Sequence, residues 1–537
     1  MDFINFANFE LVTDANGLFE KFIFRRSVDS KLHDSLLDIT NDEQFYNDEV
    51  SMTPLQLFQY VAQINARVES GNESLMPLAL ILSDCFKEKN NQYEKMSKDG
   101  KITFDHLVKL FPIGIQFVAY AEEGQLVGSV VHNATVQTGM MGEKYLIVTG
   151  MFTFSDGKNF VQKQKEFAIP DFGGLKYIES LPVRPMTPVE REYLTNRGRI
   201  FLKYGLGVHY LAYNATMFYE SMYGNVHFNA HGRIMIDKIG YNVINPNDVD
   251  NIYNHRFQHG SEKQQTFTEI PDDALYLTWP FFKGFSFTAK RWGSILVEKL
   301  EEIQFDDNAF NYLVLDENKK RIAKSLVVHS GKSFTDIISG KSGGCIFLLH
   351  GPPGTGKTLT CEAIAELLHR PLYSITVGEL GTTPETLEKK LTQILEMTKS
   401  WNAVILIDEA DIFLEKRTEN DIQRNAMVGI FLRLLERHLG VMFLTTNRAN
   451  SIDEAFRSRI SVVFHYNTLD INMRKQIWIN LLSASQCSLS LDDVNSLSTY
   501  EINGRQIKNA IRMAQSLAMS DNLIMNINHL HTVIKLM

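Results

Sequence analysis

The pattern of apolar and polar positions divides the chain into regions of different character. After Thr53-Pro54, apolar residues recur at Leu57, Val61, Ile64 and Val68, a spacing of four, three and four that predicts one buried helix face. A second apolar helix is expected over 75–86, so the first hundred residues read as helical. From 113 to about 245 the pattern changes. Stretches 116–120, 126–131, 145–149 and 226–229 are rich in β-formers, and turn signals such as Glu123-Gly124 and Asp156-Gly157 separate several of them. A small antiparallel sheet or barrel is expected there. Residues 290–303 return to helical spacing through Trp292, Ile295, Leu296, Lys299 and Leu300, within a stretch read as a connector. Three later runs, 345–349, 404–407 and 441–446, are almost wholly apolar, as in strands covered on both faces of a parallel sheet.

Composition narrows the classes. At 537 residues, with 44% apolar and 22% charged, the chain has the profile of a soluble globular protein of three or more domains. The 54 Lys plus Arg against 63 Asp plus Glu give −9, a balance that disfavours general nucleic-acid binding without excluding a local groove. Residues 28–50 hold seven acids against Lys31, and this −6 stretch is expected to be a solvated loop. The cluster Arg191, Arg197, Arg199 and Lys203 is likewise read as a solvated face. Asp99-Gly100 looks like part of a calcium loop. The positions that should be carboxylates are Lys95 and His106, so a turn into a helix over 105–111 is expected instead. Four scattered cysteines indicate neither a disulfide framework nor a zinc cluster. The longest apolar stretch, 75–82, has eight residues where a membrane span needs about 20. The start also carries Asp2 where a signal peptide needs positive charge. The expectation is an intracellular, soluble protein, cytoplasmic or nuclear, with no membrane span.

The chemistry concentrates after position 345. The apolar run 345–349 leads into Gly351-Pro352-Pro353-Gly354-Thr355-Gly356-Lys357-Thr358, followed by an amphipathic helical stretch. A G-x-x-x-x-G-K-T sequence between strand and helix is the context of a phosphate-binding loop. Its glycines let backbone N–H groups converge on phosphates at the positive end of the helix. Lys357 would neutralise β/γ oxygens, and the Thr358 hydroxyl would ligate Mg²⁺. The run 404–407 ends in Asp408-Glu409, where Asp408 would hold Mg²⁺ through water and Glu409 would act as general base on the attacking water. The run 441–446 ends at Asn447, whose amide can orient that water. Arg457 and Arg459 follow, and Arg505 opens a helix carrying Ile507, Ile511, Ala514 and Ala518 on one face.

In this order the pieces resemble an AAA+ ATPase. Lys357 matches the Walker A lysine, Asp408 and Glu409 the Walker B pair, and Asn447 the sensor-1 residue. Arg459 best matches the arginine finger, with Arg457 second, and Arg505 matches sensor 2. The stretches 371–385, 401–404, 424–428, Thr445-Thr446-Asn447-Arg448 and Ser458-Arg459-Ile460 look like a group common in fungi that carries an uncharacterised N-terminal region. The motifs Arg197-Gly198-Arg199 and 232–237 fit that N-terminal region too.

The resemblance implies an α/β P-loop fold with a parallel sheet core and a C-terminal helical lid, preceded by a helical segment and a β-rich domain. The expected divisions are 1–112, 113–250, a connector at 251–313, the large ATPase part at 314–467 and the lid at 468–537. It implies ATP and Mg²⁺ at the site, hydrolysis to ADP and phosphate, and a homo-oligomeric ring, most simply a hexamer, acting on an unknown macromolecular partner. An ATP-gated scaffold and a nucleic-acid remodelling ATPase are the alternatives. Substrate-threading relatives carry an aromatic-hydrophobic-Gly loop after the second strand, and 377–384 has no aromatic residue.

Overall fold

A computed structural model describes residues 2–5, 8–13, 19–40, 43–58, 60–139, 141–246, 266–329, 344–415, 421–448, 452–485, 487 and 489–537. The chain forms two compact units, Met1–Glu301 and Glu302–Met537. The border expected at 250/251 lies outside the described residues.

The first unit is richer in sheet than its hydropathy suggests. Its N-terminal part, expected to be helical, contains a four-stranded antiparallel sheet in the order Asp2–Asn5, Glu10–Thr13, Phe19–Arg25, Glu49–Met52. Helices Pro54–Phe58, Val61–Glu69 and Met76–Lys98 accompany it, and the four-three-four face is broken into two helices. The acidic stretch is not a loop. It carries helix Ser30–Thr40, with Leu32, Leu36 and Ile39 buried at i, i+4 and i+7 while Asp34 and Asp38 stand on the other face. The turn after Asp99-Gly100 enters a 3₁₀ helix, Phe104–Leu110.

Among the described residues the unit also has the two-stranded pair Lys101–Ile102 with Lys176–Tyr177 and two larger antiparallel sheets. One has six strands in the order Val183–Pro185, Gln116–Tyr120, Leu126–Thr138, Lys144–Ser155, Phe160–Pro170, Thr266–Phe267. The other runs Gly224–Asn229, Thr216–Ser221, Arg291–Leu296, Phe281–Ser286, Gly232–Ile236, His209–Tyr213, Leu300–Glu301. The helix expected over 290–303 is therefore the strand Arg291–Leu296, paired along its length with Phe281–Ser286. Its small residues Gly293 and Ser294 are buried beside Ile295, so this both-sided burial leaves no polar alternation to read. Arg197 is not on a solvated face either. It is 2% exposed on helix Pro188–Tyr204 and donates to the Leu126 and Thr278 carbonyls at 2.6 and 3.2 Å.

The second unit holds a five-stranded parallel sheet in the order Leu372–Thr376, Val404–Asp408, Val441–Thr446, Cys345–His350, Val462–His465. Val404, Ile405, Leu406, Ile407, Met442, Phe443 and Leu444 are fully buried. At roughly 1.5–3 kcal/mol per large apolar side chain, the two central strands dominate the stability of this layer. Helices Lys357–Leu368, Pro384–Ser400 and Ile422–Arg437 accompany the sheet. A second core, centred on Trp478, Leu497, Ile507, Ala514 and Leu530, packs helices Ile471–Ala484, Leu491–Ser498, Gly504–Ser520 and Ile527–Ile534 into a C-terminal bundle. Parallel strands share a direction, so 350, 408 and 446 end on one edge of the sheet, where ligands of open α/β folds collect. Among the described residues no helix is long and apolar enough to cross a membrane.

Candidate active site

The loop after strand Cys345–His350 is shaped by close backbone approaches. A Cβ on Gly351 would sit 2.2 Å from the Tyr466 carbonyl oxygen, and one on Gly354 would sit 2.5 Å from the Asn503 side chain. Gly354 also has φ +75°, a region an L-residue enters only with strain. The loop ends at Gly356, and helix Lys357–Leu368 begins there with first-turn N–H groups that have no carbonyl one turn back. That cluster of donors, with the positive helix end, is the anion cradle expected of Gly351, Pro352, Pro353, Gly354, Thr355, Gly356, Lys357 and Thr358.

Lys357 is buried, and its ammonium makes three hydrogen bonds. It donates to the Gly351 carbonyl at 2.7 Å, the Pro352 carbonyl at 2.9 Å and Oδ1 of Asn447 at 2.8 Å. Burial lowers its pKa and the Arg505 charge adds to this, while Asp408, Asp411 and Glu409 act in the opposite direction. The electrostatics thus tie four of the candidate residues, Lys357, Asp408, Glu409 and Arg505, together with Asp411. Asn447 differs in one respect from expectation: its carbonyl oxygen is spent on Lys357. Its Nδ2 donors remain open to a water.

The Asp408-Glu409 pair is fixed by a residue that motif reasoning missed. The hydroxyl of Thr445, 1% exposed, donates to Oδ1 of Asp408 and accepts from the Glu409 backbone N–H at 2.9 Å. Glu409 sits at φ +55°, a strained conformation for a non-glycine residue that turns its side chain out of the strand's alternation. Next along the strand, the Thr446 hydroxyl donates to Asp411. The signal was present in the sequence as two adjacent hydroxyls closing an otherwise apolar buried run.

The donor set fits a magnesium polyphosphate. One Asp408 oxygen is engaged by Thr445, and among the described residues neither its other oxygen nor the Thr358 hydroxyl has a partner. One carboxylate and one hydroxyl, with water and phosphate completing the shell, is the usual protein share of a Mg²⁺ site.

The C-terminal bundle touches the loop directly. The Gly504 N–H donates to the Gly354 carbonyl at 3.0 Å, and Asn503 caps helix Gly504–Ser520. Arg505 follows on the exposed first turn. The two finger candidates are not equivalent. Arg459 is held by Glu436 and by the Ala455 carbonyl at 2.6 Å. Arg457 is exposed and has no partner among the described residues. Glu415 pairs with both Arg424 at 3.2 Å and Arg448 at 2.7 Å, linking two of the motif stretches.

Residues 347–468 match the model of the ATPase family associated with various cellular activities (AAA), and residues 92–190 match a domain of unknown function, DUF7025. Fidgetin-like protein 1 of Homo sapiens is 32% identical over 161 residues, 28% of this chain and 24% of that protein. The ATPase family gene 2 protein of Schizosaccharomyces pombe is 38% identical over 121 residues, 20% of this chain and 14% of that protein. The ATP-dependent zinc metalloprotease FtsH of Ureaplasma parvum is 29% identical over 204 residues, 35% and 28% of the two chains. The matched segments span between 14% and 28% of these relatives' lengths.

Proposed function

We propose that this chain, whose second unit carries an AAA+ ATPase module of P-loop α/β fold, hydrolyses ATP to ADP and phosphate and couples the cycle to remodelling of a macromolecular partner. The observation that carries the reading is the convergence of Lys357, Asn447, Asp408 and Glu409 on one sheet edge, with Thr445 fixing the two acids. Lys357 exchanges its carbonyl bonds for β/γ-phosphate oxygens when nucleotide enters the loop. Thr358 and, through water, Asp408 would hold Mg²⁺, which would supply charge neutralisation of the phosphate oxygens. Glu409 takes the proton of the attacking water while Asn447 Nδ2 orients it. Arg505 reads the phosphate charge from the C-terminal bundle, whose contact with Gly354 ties bundle position to loop occupancy.

The assembly that fits this site is a homo-oligomeric ring, because a hydrolytic arginine supplied by a neighbour stabilises charge developing on the transferred phosphoryl. The free guanidinium of Arg457 supports it for that role over Arg459. The test is the full chain carrying Glu409→Gln, Arg457→Ala or Arg459→Ala. Glu409→Gln retains ATP and loses turnover by about 10²-fold or more. Mixing Glu409→Gln with Arg457→Ala chains restores part of the rate, because some interfaces regain both groups. If the mixture stays as inactive as its parents while the unmixed chain turns over, the shared site is refuted. If Arg459→Ala and not Arg457→Ala is the variant rescued, the finger moves back to Arg459.

A further inference from the structure

Two of the motif stretches carry an arginine with no task in the chemistry above, and one carboxylate joins them. Oε1 of Glu415 pairs with Nη1 of Arg448 at 2.7 Å, and Oε2 pairs with Nη2 of Arg424 at 3.2 Å. Each oxygen holds one guanidinium, so the acid separates two like charges. Backbone contacts anchor this junction. Arg424 stands in the first turn of helix Ile422–Arg437, where its N–H donates to the capping Asp421 at 3.0 Å and its Nε donates to the Ile412 carbonyl at 3.1 Å. Glu415 closes the short helix Asp411–Leu414, its N–H donating to the Asp411 carbonyl at 3.0 Å. The Asp453 N–H donates to the Leu414 carbonyl at 2.9 Å, and a bridge pairs Glu415 with Ile452. The same short helix is tied to strand Val441–Thr446, since the Ala410 N–H donates to the Thr445 carbonyl at 2.9 Å. The carboxylate therefore projects from anchored backbone, and of its two partners Arg448 is the exposed one.

What depends on Arg448 is the residue before it. Strand Val441–Thr446 is buried throughout, and Asn447 and Arg448 are the exposed residues that follow it, so packing does not place them. Polar contacts do. Thr446 donates its hydroxyl to Asp411 and accepts the Arg448 N–H at 3.0 Å, and Asn447 Oδ1 accepts from Lys357. All three Lys357 donors are spent, so a phosphate arriving at the loop competes with Asn447 for them. With that tether contested, the flanking residues set where the amide points, Thr446 on one side and the Arg448–Glu415 pair on the other. We propose that Glu415 is a positioning residue for hydrolysis, holding Arg448 so that the Asn447 amide faces the attacking water while Lys357 serves the phosphate. The proposal rests on the ATPase reading above, in which Asn447 orients that water. An exposed ion pair adds little to folding stability, whereas a displacement of about 1 Å at a reacting group can cost roughly 10²-fold in rate. Rate and stability therefore separate at this pair.

The test is a double-mutant cycle on the full chain, reading steady-state phosphate release and Tm on the same samples. Glu415→Ala and Arg448→Ala each lower kcat by about tenfold, with the ATP KM within about threefold and Tm within about 3 °C of the parent. The double variant is also about tenfold slow, because the two groups act as one link and the second loss has nothing left to remove. Arg448→Lys keeps a cation within reach of Glu415 and recovers most of kcat. Parental kcat in either alanine variant, losses that multiply to about 10²-fold in the double variant, or a Lys variant as slow as Arg448→Ala overturns the proposal. So does a kcat loss that vanishes once the folded fraction is corrected for. A parent chain without turnover refutes the hydrolytic reading itself, whereas a parent that turns over beside alanine variants of equal kcat refutes the role of Glu415 alone.

Discussion

Removing one hydroxyl tests how the acids at the sheet edge are held. Thr445→Val is nearly isosteric and keeps the β-branched shape at a position 1% exposed, so packing changes little. Two hydrogen bonds are lost, one to the Asp408 carboxylate and one from the Glu409 N–H. The first is worth roughly 1.5–3 kcal/mol and the second about 0.5–1.5 kcal/mol when neither is replaced. Asp408 is half-buried and Glu409 exposed, so water recovers part of both. A net destabilisation of about 1–2 kcal/mol is expected, a fall of roughly 2–8 °C in the Tm of a unit of this size.

The catalytic effect should be larger than the loss in stability. With Glu409 as the proposed general base, misplacing it by about 1 Å would cost roughly 10² in rate, whereas ground-state binding would rest on the loop and Lys357. Thr445→Val should therefore lower kcat by about 10²-fold while the ATP KM moves by less than about threefold. Thr445→Ser keeps the hydroxyl and should recover most of kcat. Steady-state phosphate release, with Tm measured on the same samples, separates the two effects. A Val variant with the parent kcat, or a Ser variant as slow as Val, sinks the positioning argument.

Gly354→Ala adds a Cβ at φ +75° that meets the Asn503 side chain at 2.5 Å. The left-handed conformation alone costs about 1–2 kcal/mol. ATP affinity should fall about tenfold or more by equilibrium binding; an unchanged affinity would show that the loop does not need the Asn503 contact. His438 gives a pH dependence. Burial lowers its pKa to about 4, so between the unfolded value near 6.5 and 4 the unfolded chain binds the extra proton. Stability is then complete above pH 6.5 and declines as pH falls toward 4, by about 3 kcal/mol in all. His438→Leu should remove that share of the slope in urea melts of the full chain between pH 7 and pH 4.5, and equal slopes in the two proteins would remove His438 as its source.

What could be read before the structure divides along a physical line. The P-loop was legible because its backbone geometry accepts few residue types. Gly351 lies against the Tyr466 carbonyl and Gly354 against Asn503, so glycine at these places is a steric requirement that survives in the letters. The parallel strands were legible because burial on both faces leaves uninterrupted apolar runs. The same both-sided burial made Arg291–Leu296 illegible, since an antiparallel strand covered on both faces loses its alternation and imitates a helix. Charge misled in the opposite way. The acids of 28–50 suggested a loop because their number hid Leu32, Leu36 and Ile39, three residues sufficient to bury one face of a helix. Arg197 suggested solvent, yet its buried guanidinium donates to the Leu126 and Thr278 carbonyls together, which a planar, forked donor suits.

Roles that depend on which hydrogen bonds are already spent are not encoded by residue type at all. Lys357 and Asn447 each carry an expected task, but the bond between them engages Asn447 Oδ1 and turns its Nδ2 donors toward the water's role. Arg457 and Arg459 are the same letter two positions apart. Glu436 and the Ala455 carbonyl occupy one guanidinium and leave the other unengaged. In the ring proposed above, an arginine that reaches a phosphate in a neighbouring protomer would first surrender its own partners, and an exposed ion pair like that of Arg459 with Glu436 is worth roughly 0.2–1 kcal/mol. Drawing Arg459 across would forfeit that amount at each such interface, whereas Arg457, which has no partner among the described residues, would have nothing to break. Occupancy within the protomer therefore favours Arg457 for the proposed role, although the resemblance ranks Arg459 first.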